Sequence, residues 1–191
     1  MKRPLLILAS QSEARQRLLK RMGRSFRAIP AEVDEESYKK RITDPRKLAR
    51  VLARAKAEAV ALKYERSVVI GSDQLVVFNG KVFGKPGSER KAIEQLRRFS
   101  GKSIQLLTAV CVLDQNSQRF EFVDKTEMRF RKLTADEIKT YVRADRPFEC
   151  AGSFKFEQRG ITLFESIKSN DPSAIEGLPA LRLETILRFI Y

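Results

Sequence analysis

A chain of 191 residues with 42% hydrophobic and 32% charged side chains has the composition of a folded globular protein, not of a disordered or membrane protein. It contains no histidine and only two cysteines, Cys111 and Cys150, so zinc sites and Ser/His/Asp or Cys/His catalysis lose their usual ligands and bases. Any general base must be Asp, Glu, Lys or Tyr. The net charge of +14 suggests an anionic partner, but it is spread along the chain and favours solubility over specific nucleic-acid binding.

The predicted elements alternate between strand and helix early in the chain and pair as strands later. Apolar spacing, caps and turn residues define their limits. In chain order we predict a strand at 5–10, a helix from Ser12 to Gly23, a helix from Asp44-Pro45 to Leu62, strands at 67–71 and 74–78 before a turn at Asn79-Gly80, a helix from Ser88 to Phe99, strands at 103–113 and 119–130, a helix from Thr134 to Val142, and a last helix from Leu178 to Phe189. This order predicts a mixed α/β fold around a long sheet.

The N-terminal stretch MKRPLLILAS has the charge-then-apolar order of a signal peptide. Its apolar run, residues 5–9, is too short for a secretory core, and no later stretch is long enough to span a bilayer. We therefore predict a cytoplasmic protein with no membrane partner. Because no linker, repeat or low-complexity segment interrupts the sequence, residues 1–191 are predicted to form a single domain.

The first strand leads into a helix through the polar stretch SQSEAR. Free backbone N–H groups and the helix dipole favour anions at such a turn. Ser10, Ser12 and Arg15 could therefore cradle a phosphate group. The alternative is structural, since Ser10 and Glu13 also have the spacing of a capping box.

Four carboxylates fall within the five residues 32–36, in the stretch EVDEE. Such a run could hold a divalent cation through oxygen ligands, although a solvated acidic turn explains it equally well. In the following long helix, Lys56 is aligned with Leu48 and Leu52 at the edge of the apolar stripe. It either reaches toward a bound phosphate or extends to solvent.

Asp73 lies in VVIGSDQLVVF, which otherwise has the apolar and β-branched residues of buried strands. A buried carboxylate is costly unless it is paired, hydrogen-bonded or bound to a metal. Just past the end of the strand at 67–71, Asp73 could bind a metal or accept a proton from water. Lys85, which follows the hairpin, could approach the same space. The alternatives are a hydrogen-bonded turn aspartate and an exposed loop lysine.

The stretch CAGSFKFEQRG at residues 150–160 combines small residues with Lys155 and Glu157. Its glycines suggest backbone pressed close to another group, which is typical of a binding loop or of a structural crossover.

These stretches together resemble the Maf family of nucleotide pyrophosphatases. The motifs appear in the family's order along the whole chain, as LILASxSxxR, EVDE, AxAKA, IGSDQ, GKP, and AGSFKFExxGITLFE ending in GLP. GSDQ and CAGSFKxE resemble the branch that acts on 7-methyl-GTP more than the branch that acts on dTTP and UTP. Two positions depart from the family, because Gln16 follows Arg15 where a second arginine is common, and Ala14 stands where relatives can carry an aromatic residue.

The resemblance implies hydrolysis between the α- and β-phosphates, giving a nucleoside monophosphate and diphosphate with Mg²⁺ or Mn²⁺ as cofactor. It also implies a long twisted mixed sheet flanked by helices, with two lobes around a cleft as in inosine-triphosphatase-like folds, and we expect a homodimer. It implies Asp73, Glu35, Lys56 and Lys85 as catalytic residues, Asp73 and Glu35 as metal ligands, Ser10, Arg15 and Lys155 as phosphate or substrate contacts, and Ala14, Gln74 and Glu157 as specificity residues.

The residue chemistry agrees with this interpretation. Cleavage of a phosphoanhydride needs neutralised charge and an aligned water, which lysines, an arginine, a metal and a carboxylate supply. A carboxylate at Glu157 matches the cationic ring and the N–H donors of 7-methylguanine. Two alternatives remain: a pyrimidine nucleotide such as dTTP or UTP as substrate, or a basic module that binds nucleic acid or a partner in cell-division control.

Overall fold

The structure, a computed structural model, describes residues 4–191. In this part of the chain, seven strands and six α-helices follow one another: β1 (Leu6–Leu8), α1 (Glu13–Arg21), β2 (Arg27–Ala28), α2 (Glu35–Arg41), α3 (Pro45–Ala61), β3 (Val68–Phe78), β4 (Lys81–Phe83), α4 (Glu89–Phe99), β5 (Ser103–Leu113), β6 (Arg119–Phe130), α5 (Ala135–Asp145), β7 (Phe164–Lys168) and α6 (Ala180–Ile190). None of the helices described is long and apolar enough to cross a membrane.

The strands form one mixed sheet in the order β2-β1-β3-β5-β6-β7, with β4 paired to β3. The pairs β1–β2 and β1–β3 are parallel, whereas β3–β4 and β6–β7 are antiparallel. The predicted mixed α/β class is therefore confirmed. The chain folds as two compact units, the first comprising residues up to 74, 108–124 and 171–191, and the second 75–107 and 125–170. That the whole chain is a single domain stays a prediction.

The two strands predicted at 67–71 and 74–78 are one continuous strand, β3. Asp73 therefore lies inside a strand, and its predicted place just past a strand end was wrong. The polar residues are accommodated because they have partners. The Ser72 hydroxyl donates to the carbonyl of Gly177 at 2.8 Å, and Asp73 accepts a hydrogen bond from Lys56. Buried polar groups with such partners do not interrupt a strand.

The core of the first unit lies between β1, β3 and β5 and the helices α1 and α6. Its fully buried side chains include Leu8, Leu19, Ile70, Leu183 and Leu187. Helix α3 begins as predicted, because Asp44 accepts a hydrogen bond from the backbone of Lys47 and Pro45 occupies the first turn.

Helix α3 packs very closely on β3 at Gly71. A Cβ atom at this position would lie 2.2 Å from the carbonyl oxygen of Ala53 and 2.6 Å from the nitrogen of Ala57. Only glycine permits this approach, which places the helix residue Lys56 beside the strand residue Asp73.

The second unit has an aromatic core. Phe99, Phe130, Phe154 and Phe164 form a chain of edge-on and tilted ring contacts with centroids 4.4–6.1 Å apart. Helix α5 opens with the predicted capping box, in which Thr134 and Glu137 each bind the other's backbone N–H.

Helix α2 was not predicted. Asp34 caps it and the acidic residues Glu35 and Glu36 occupy its first turn, where the helix dipole favours negative charge. None of its side chains is buried, so it has no apolar periodicity to reveal it.

Candidate active site

Three charged side chains of the first unit meet at Lys56. Its ammonium nitrogen lies 2.6 Å from Asp73 Oδ1 and 2.7 Å from Glu35 Oε1. The side chains of Asp73 and Lys56 are 8% and 14% exposed, so water screens this pair weakly. The structure thus brings together strand β3, helix α3 and the first residue of α2, and Lys56 points inward instead of extending to solvent.

The second carboxylate oxygen of Asp73 distinguishes it from an ordinary buried ion-pair residue. Asp73 Oδ2 is buried and has no hydrogen-bond partner. An unsatisfied buried oxygen costs free energy, and in native structures such groups call for an explanation such as a catalytic role or a bound ion. Asp73 Oδ2 is therefore available to accept a proton or to bind a cation.

Glu35 is half-exposed and faces two lysines. Lys56 is its nearer partner, and Lys39 Nζ lies 3.6 Å from Glu35 Oε2. Partial burial raises the pKa of Glu35, but the two ammonium groups together outweigh burial and lower it below its usual value. Glu35 is therefore ionised at neutral pH.

Replacing Lys56 by Met is expected to raise the pKa of Glu35, because burial is then opposed only by Lys39. In the wild type the pKa of Glu35 is lower in the folded than in the unfolded chain. The charge of Glu35 therefore stabilises the fold at pH values above the unfolded-state pKa, and this stabilisation is lost as the pH falls through the folded-state pKa. In Lys56→Met the stabilisation by the charge of Glu35 is smaller, and acid unfolding begins at a higher pH. A carbon-13 NMR titration of the Glu35 carboxyl measures the change. The control is Lys40→Met, on the exposed side of α2, and an unchanged Glu35 titration in Lys56→Met would contradict the ion pair.

Arg15 lies within the same unit and is held on several sides. Its Nε donates to the carbonyl of Gly177 at 3.1 Å, and its Nη1 donates to the carbonyl of Ser72 at 3.0 Å and to Ser10 Oγ at 3.3 Å. Burial lowers the pKa of Arg15, while the charges of Asp73 and Glu35 raise it. A guanidinium remains charged in proteins, so Arg15 presents a fixed positive charge near the two carboxylates.

The turn before α1 is not the capping box of Ser10 and Glu13 that the sequence offered as a structural alternative. The N-cap is Ser12, whose hydroxyl accepts from the backbone of Arg15 at 3.4 Å, and not Ser10. The Ser10 hydroxyl accepts from the backbone of Ser12 at 3.2 Å and from the Arg15 side chain. Ser10 and Arg15 are thus brought together, while Ala14 lies half-buried on the first turn of α1.

The residues fit a hard divalent cation with few protein ligands. Across residues 4–191 no group of three or more acidic, cysteine or histidine side chains is arranged to enclose a metal ion. Mg²⁺ is commonly held by one or two carboxylates, with waters and substrate phosphates completing its shell. Asp73 with its unpartnered oxygen and Glu35 form such a pair. Metal binding by these two residues stays a prediction.

The remaining predicted residues have other surroundings. Gln74 uses its side-chain nitrogen within the first unit, where it donates to the carbonyl of Ala174 at 2.8 Å. Lys85 belongs to the second unit, where it is 65% exposed and lies 3.4 Å from Glu149. In the same unit the backbone N–H of Lys155 donates to the hydroxyl of Tyr141 at 2.9 Å, and Glu157 follows as an exposed residue.

Sequence reasoning missed Ser72 and Gly177 as residues of this site. The hydrogen bond between them joins residues 105 positions apart. Both lie inside noted motifs, GSDQ and GLP, but nothing in the sequence indicates that the carbonyl of Gly177 would meet Arg15.

Solved structures with the same architecture define the class of fold. The Ham1 protein of Staphylococcus aureus superposes with a TM-score of 0.52 at 16% identity, covering 96% of this chain and 97% of that chain. A HAM1 protein from Coxiella burnetii gives a TM-score of 0.50 at 14% identity, covering 97% and 98%. These likenesses establish a shared fold.

Sequence comparison gives the family. The family model described as "Maf-like protein" matches residues 5–190. A protein of Bdellovibrio bacteriovorus named 7-methyl-GTP pyrophosphatase is 46% identical over 95% of both chains, and one of Bordetella pertussis with the same name is 45% identical over 96% of this chain and 91% of its own. A third, from Idiomarina loihiensis, is 41% identical over 96% and 93%. The chain belongs to the Maf family, which confirms the resemblance seen in the sequence.

Proposed function

We propose that this protein is a nucleoside triphosphate pyrophosphatase that hydrolyses 7-methyl-GTP to 7-methyl-GMP and diphosphate, and so removes a modified nucleotide from the pool. The observation that carries the proposal is Asp73 Oδ2, a buried carboxylate oxygen without a partner beside Lys56 and Glu35. Relatives at 41–46% identity along nearly the whole chain bear the name 7-methyl-GTP pyrophosphatase.

In the proposed reaction, Asp73 takes a proton from the attacking water at Oδ2. Lys56 holds Asp73 in place through the hydrogen bond to Oδ1, which leaves Oδ2 free for the proton. The guanidinium of Arg15 and the ammonium of Lys56 neutralise charge on the phosphoryl oxygens, which dominates phosphoryl-transfer chemistry. Ser10 assists by holding Arg15.

A divalent cation, Mg²⁺ or Mn²⁺, is the proposed cofactor. The cluster has no excess positive charge for a triphosphate, because three cations face three carboxylates: Arg15, Lys39 and Lys56 against Glu35, Glu36 and Asp73. A bound cation, held by Asp73 and Glu35, would supply that charge and polarise a phosphoryl oxygen. Lys85 and Lys155 are proposed to add positive charge toward the substrate.

The proposed preference for 7-methylguanine depends on Glu157. A carboxylate complements a cationic ring with N–H donors, whereas thymine and uracil offer one ring N–H and two carbonyl acceptors. A pyrimidine triphosphate is the second candidate substrate, because Ala14 provides no aromatic ring to stack on a methylated base.

A kinetic panel with Glu157→Gln tests the substrate. For the wild type with Mg²⁺ or Mn²⁺ we expect kcat/KM to be highest for 7-methyl-GTP among 7-methyl-GTP, GTP, dTTP and UTP. Loss of a charge-assisted contact worth about 1.5–3 kcal/mol should lower the value for 7-methyl-GTP roughly 10–100-fold in the variant, with smaller effects on the others. Glu94→Gln, at an exposed glutamate of α4 in the same unit, is the control. A wild type that prefers dTTP or UTP would support a pyrimidine triphosphate as the substrate. A wild type that binds polyanions with steep salt dependence but hydrolyses no triphosphate would support a basic module that binds nucleic acid or a partner.

A further inference from the structure

Residues 155–160 form a short turn that is closed on itself. The carbonyl of Lys155 accepts from the backbone N–H groups of Gln158 at 3.1 Å and Gly160 at 3.0 Å. A Cβ atom at Gly160 would lie 2.3 Å from that carbonyl oxygen, so only glycine permits the closure. Glu157 lies in the middle of the turn and is exposed. The backbone of the turn therefore sets where the carboxylate of Glu157 is presented.

Two buried polar side chains of helix α5 hold the two ends of this turn. The Tyr141 hydroxyl accepts from the backbone N–H of Lys155 at 2.9 Å. One helical turn further on, Asp145 Oδ2 accepts from the backbone N–H of Arg159 at 3.1 Å. Tyr141 and Asp145 are only 6% and 7% exposed. Because loss of a partner inside the protein leaves a polar group unsatisfied, these two bonds fix the turn on the helix.

The residues that flank the turn are fixed separately, by aromatic packing. The ring of Phe154 lies edge-on to those of Phe130 and Phe164, with centroids 6.1 and 5.1 Å apart. The ring of Phe156 lies 6.2 Å from that of Phe164. These contacts do not involve the Tyr141 hydroxyl, so its removal should displace the turn without unfolding the second unit.

The charge of Glu157 acts on Tyr141. Burial raises the pKa of Tyr141, and the hydrogen bond from the backbone of Lys155 opposes this only in part. The negative charges of Asp145 and Glu157 raise the pKa further. Tyr141 therefore stays protonated at neutral pH, and Glu157 lies near enough to interact with it.

We propose that Tyr141 and Asp145 are positioning residues for the choice of base, because they fix the turn that presents Glu157. The proposal rests on the proposed function, in which Glu157 recognises 7-methylguanine. Both side chains are buried and bonded to the turn, so they act through its backbone and not through contact with the nucleotide.

The kinetic test uses Tyr141→Phe, which keeps the ring and removes the acceptor of the Lys155 N–H. We expect kcat/KM for 7-methyl-GTP to fall roughly 3–30-fold, while the value for dTTP changes by less than about twofold. A merely structural role would lower both values by the same factor, and that result would overturn the proposal. Tyr64→Phe, at the tyrosine that follows α3 in the first unit, is the matched control.

A double-mutant cycle tests whether Tyr141 acts through Glu157. In the Glu157→Gln background the charge to be positioned is gone. Adding Tyr141→Phe should then change the ratio of kcat/KM for 7-methyl-GTP to that for dTTP by less than about twofold. The same loss of preference in both backgrounds would show that Tyr141 acts by another route, and would overturn the proposal.

Hydrogen exchange gives a readout that does not depend on activity. The backbone N–H of Lys155 should exchange at least about fivefold faster in Tyr141→Phe than in the wild type. Asp145→Leu, which removes the acceptor of the Arg159 N–H, should speed the exchange of Arg159 and lower the same preference. It takes the place of Tyr141→Phe should that variant fold poorly. Unchanged exchange in a folded variant would overturn the proposal. Should the wild type hydrolyse no triphosphate, the proposed function fails and the exchange measurement alone decides on the anchoring.

Discussion

Asp73→Asn is expected to lower kcat about 10²–10⁴-fold, the range for loss of a general base. Asparagine has the shape of aspartate and can still accept the hydrogen bond from Lys56, but it has no negative oxygen for a proton or a cation. Lys56 keeps Glu35 as a charged partner at 2.7 Å, so the variant leaves no unpaired buried charge. A steady-state assay on 7-methyl-GTP with Mg²⁺ measures the loss.

The control is Asp136→Asn, at an exposed aspartate in the first turn of α5. It should leave kcat unchanged. The thermal transition of Asp73→Asn should confirm that the variant is folded. Wild-type turnover in folded Asp73→Asn would show that this carboxylate is not the base.

Gly71→Ala is expected to have the largest effect on stability. Its new methyl group would lie 2.2 Å from the carbonyl of Ala53, which is backbone and cannot turn aside. Overpacking of this kind costs about 3 kcal/mol at the upper end of its usual range, which corresponds to a Tm lower by roughly 6–12 °C in a protein of this size. Differential scanning calorimetry measures the shift. Activity should fall as well, since separation of α3 from β3 draws Lys56 away from Asp73.

Gly84→Ala is the matched control for this prediction. A Cβ atom at Gly84 would meet nothing within 4 Å. The Tm of Gly84→Ala should therefore stay close to that of the wild type. Equal Tm values for the two variants would contradict the close packing of α3 on β3.

The periodic parts of the fold were predictable from the sequence, and the exceptions have physical causes. Helix α3 has a buried stripe and a capping pair, so its pattern is clear. Helix α2 has no buried side chain and begins in an acidic run that also suits a turn. Strand β3 was divided in two because the polar pair Ser72-Asp73 is unusual in a buried strand, and their partners lie far away in sequence.

The candidate site was predictable by residue type but not by arrangement. Asp73 could be singled out because an acid among apolar residues needs compensation. The sequence did not show that Lys56 supplies it, or that one ammonium group serves Asp73 and Glu35 together. The bond from Arg15 to Gly177 spans 162 positions, and no local pattern encodes a contact of that separation.

The contacts of Gln74 could not be predicted from its motif. That Gln74 of the motif GSDQ helps to select the substrate stays a prediction, but the motif did not indicate that its side-chain nitrogen is hydrogen-bonded to Ala174, Ile175 and Thr108. Its partners lie 34, 100 and 101 positions away in the sequence, so no local pattern encodes these contacts.

Phosphorus-31 NMR of 7-methyl-GTP incubated with Mg²⁺ and either the wild type or Asp73→Asn tests whether Asp73 is the base for release of diphosphate. We expect the wild type to release diphosphate and nucleoside monophosphate, and the triphosphate signals to persist with the variant. Orthophosphate as the wild type's first product, or diphosphate formed equally fast by the folded variant, would contradict this expectation.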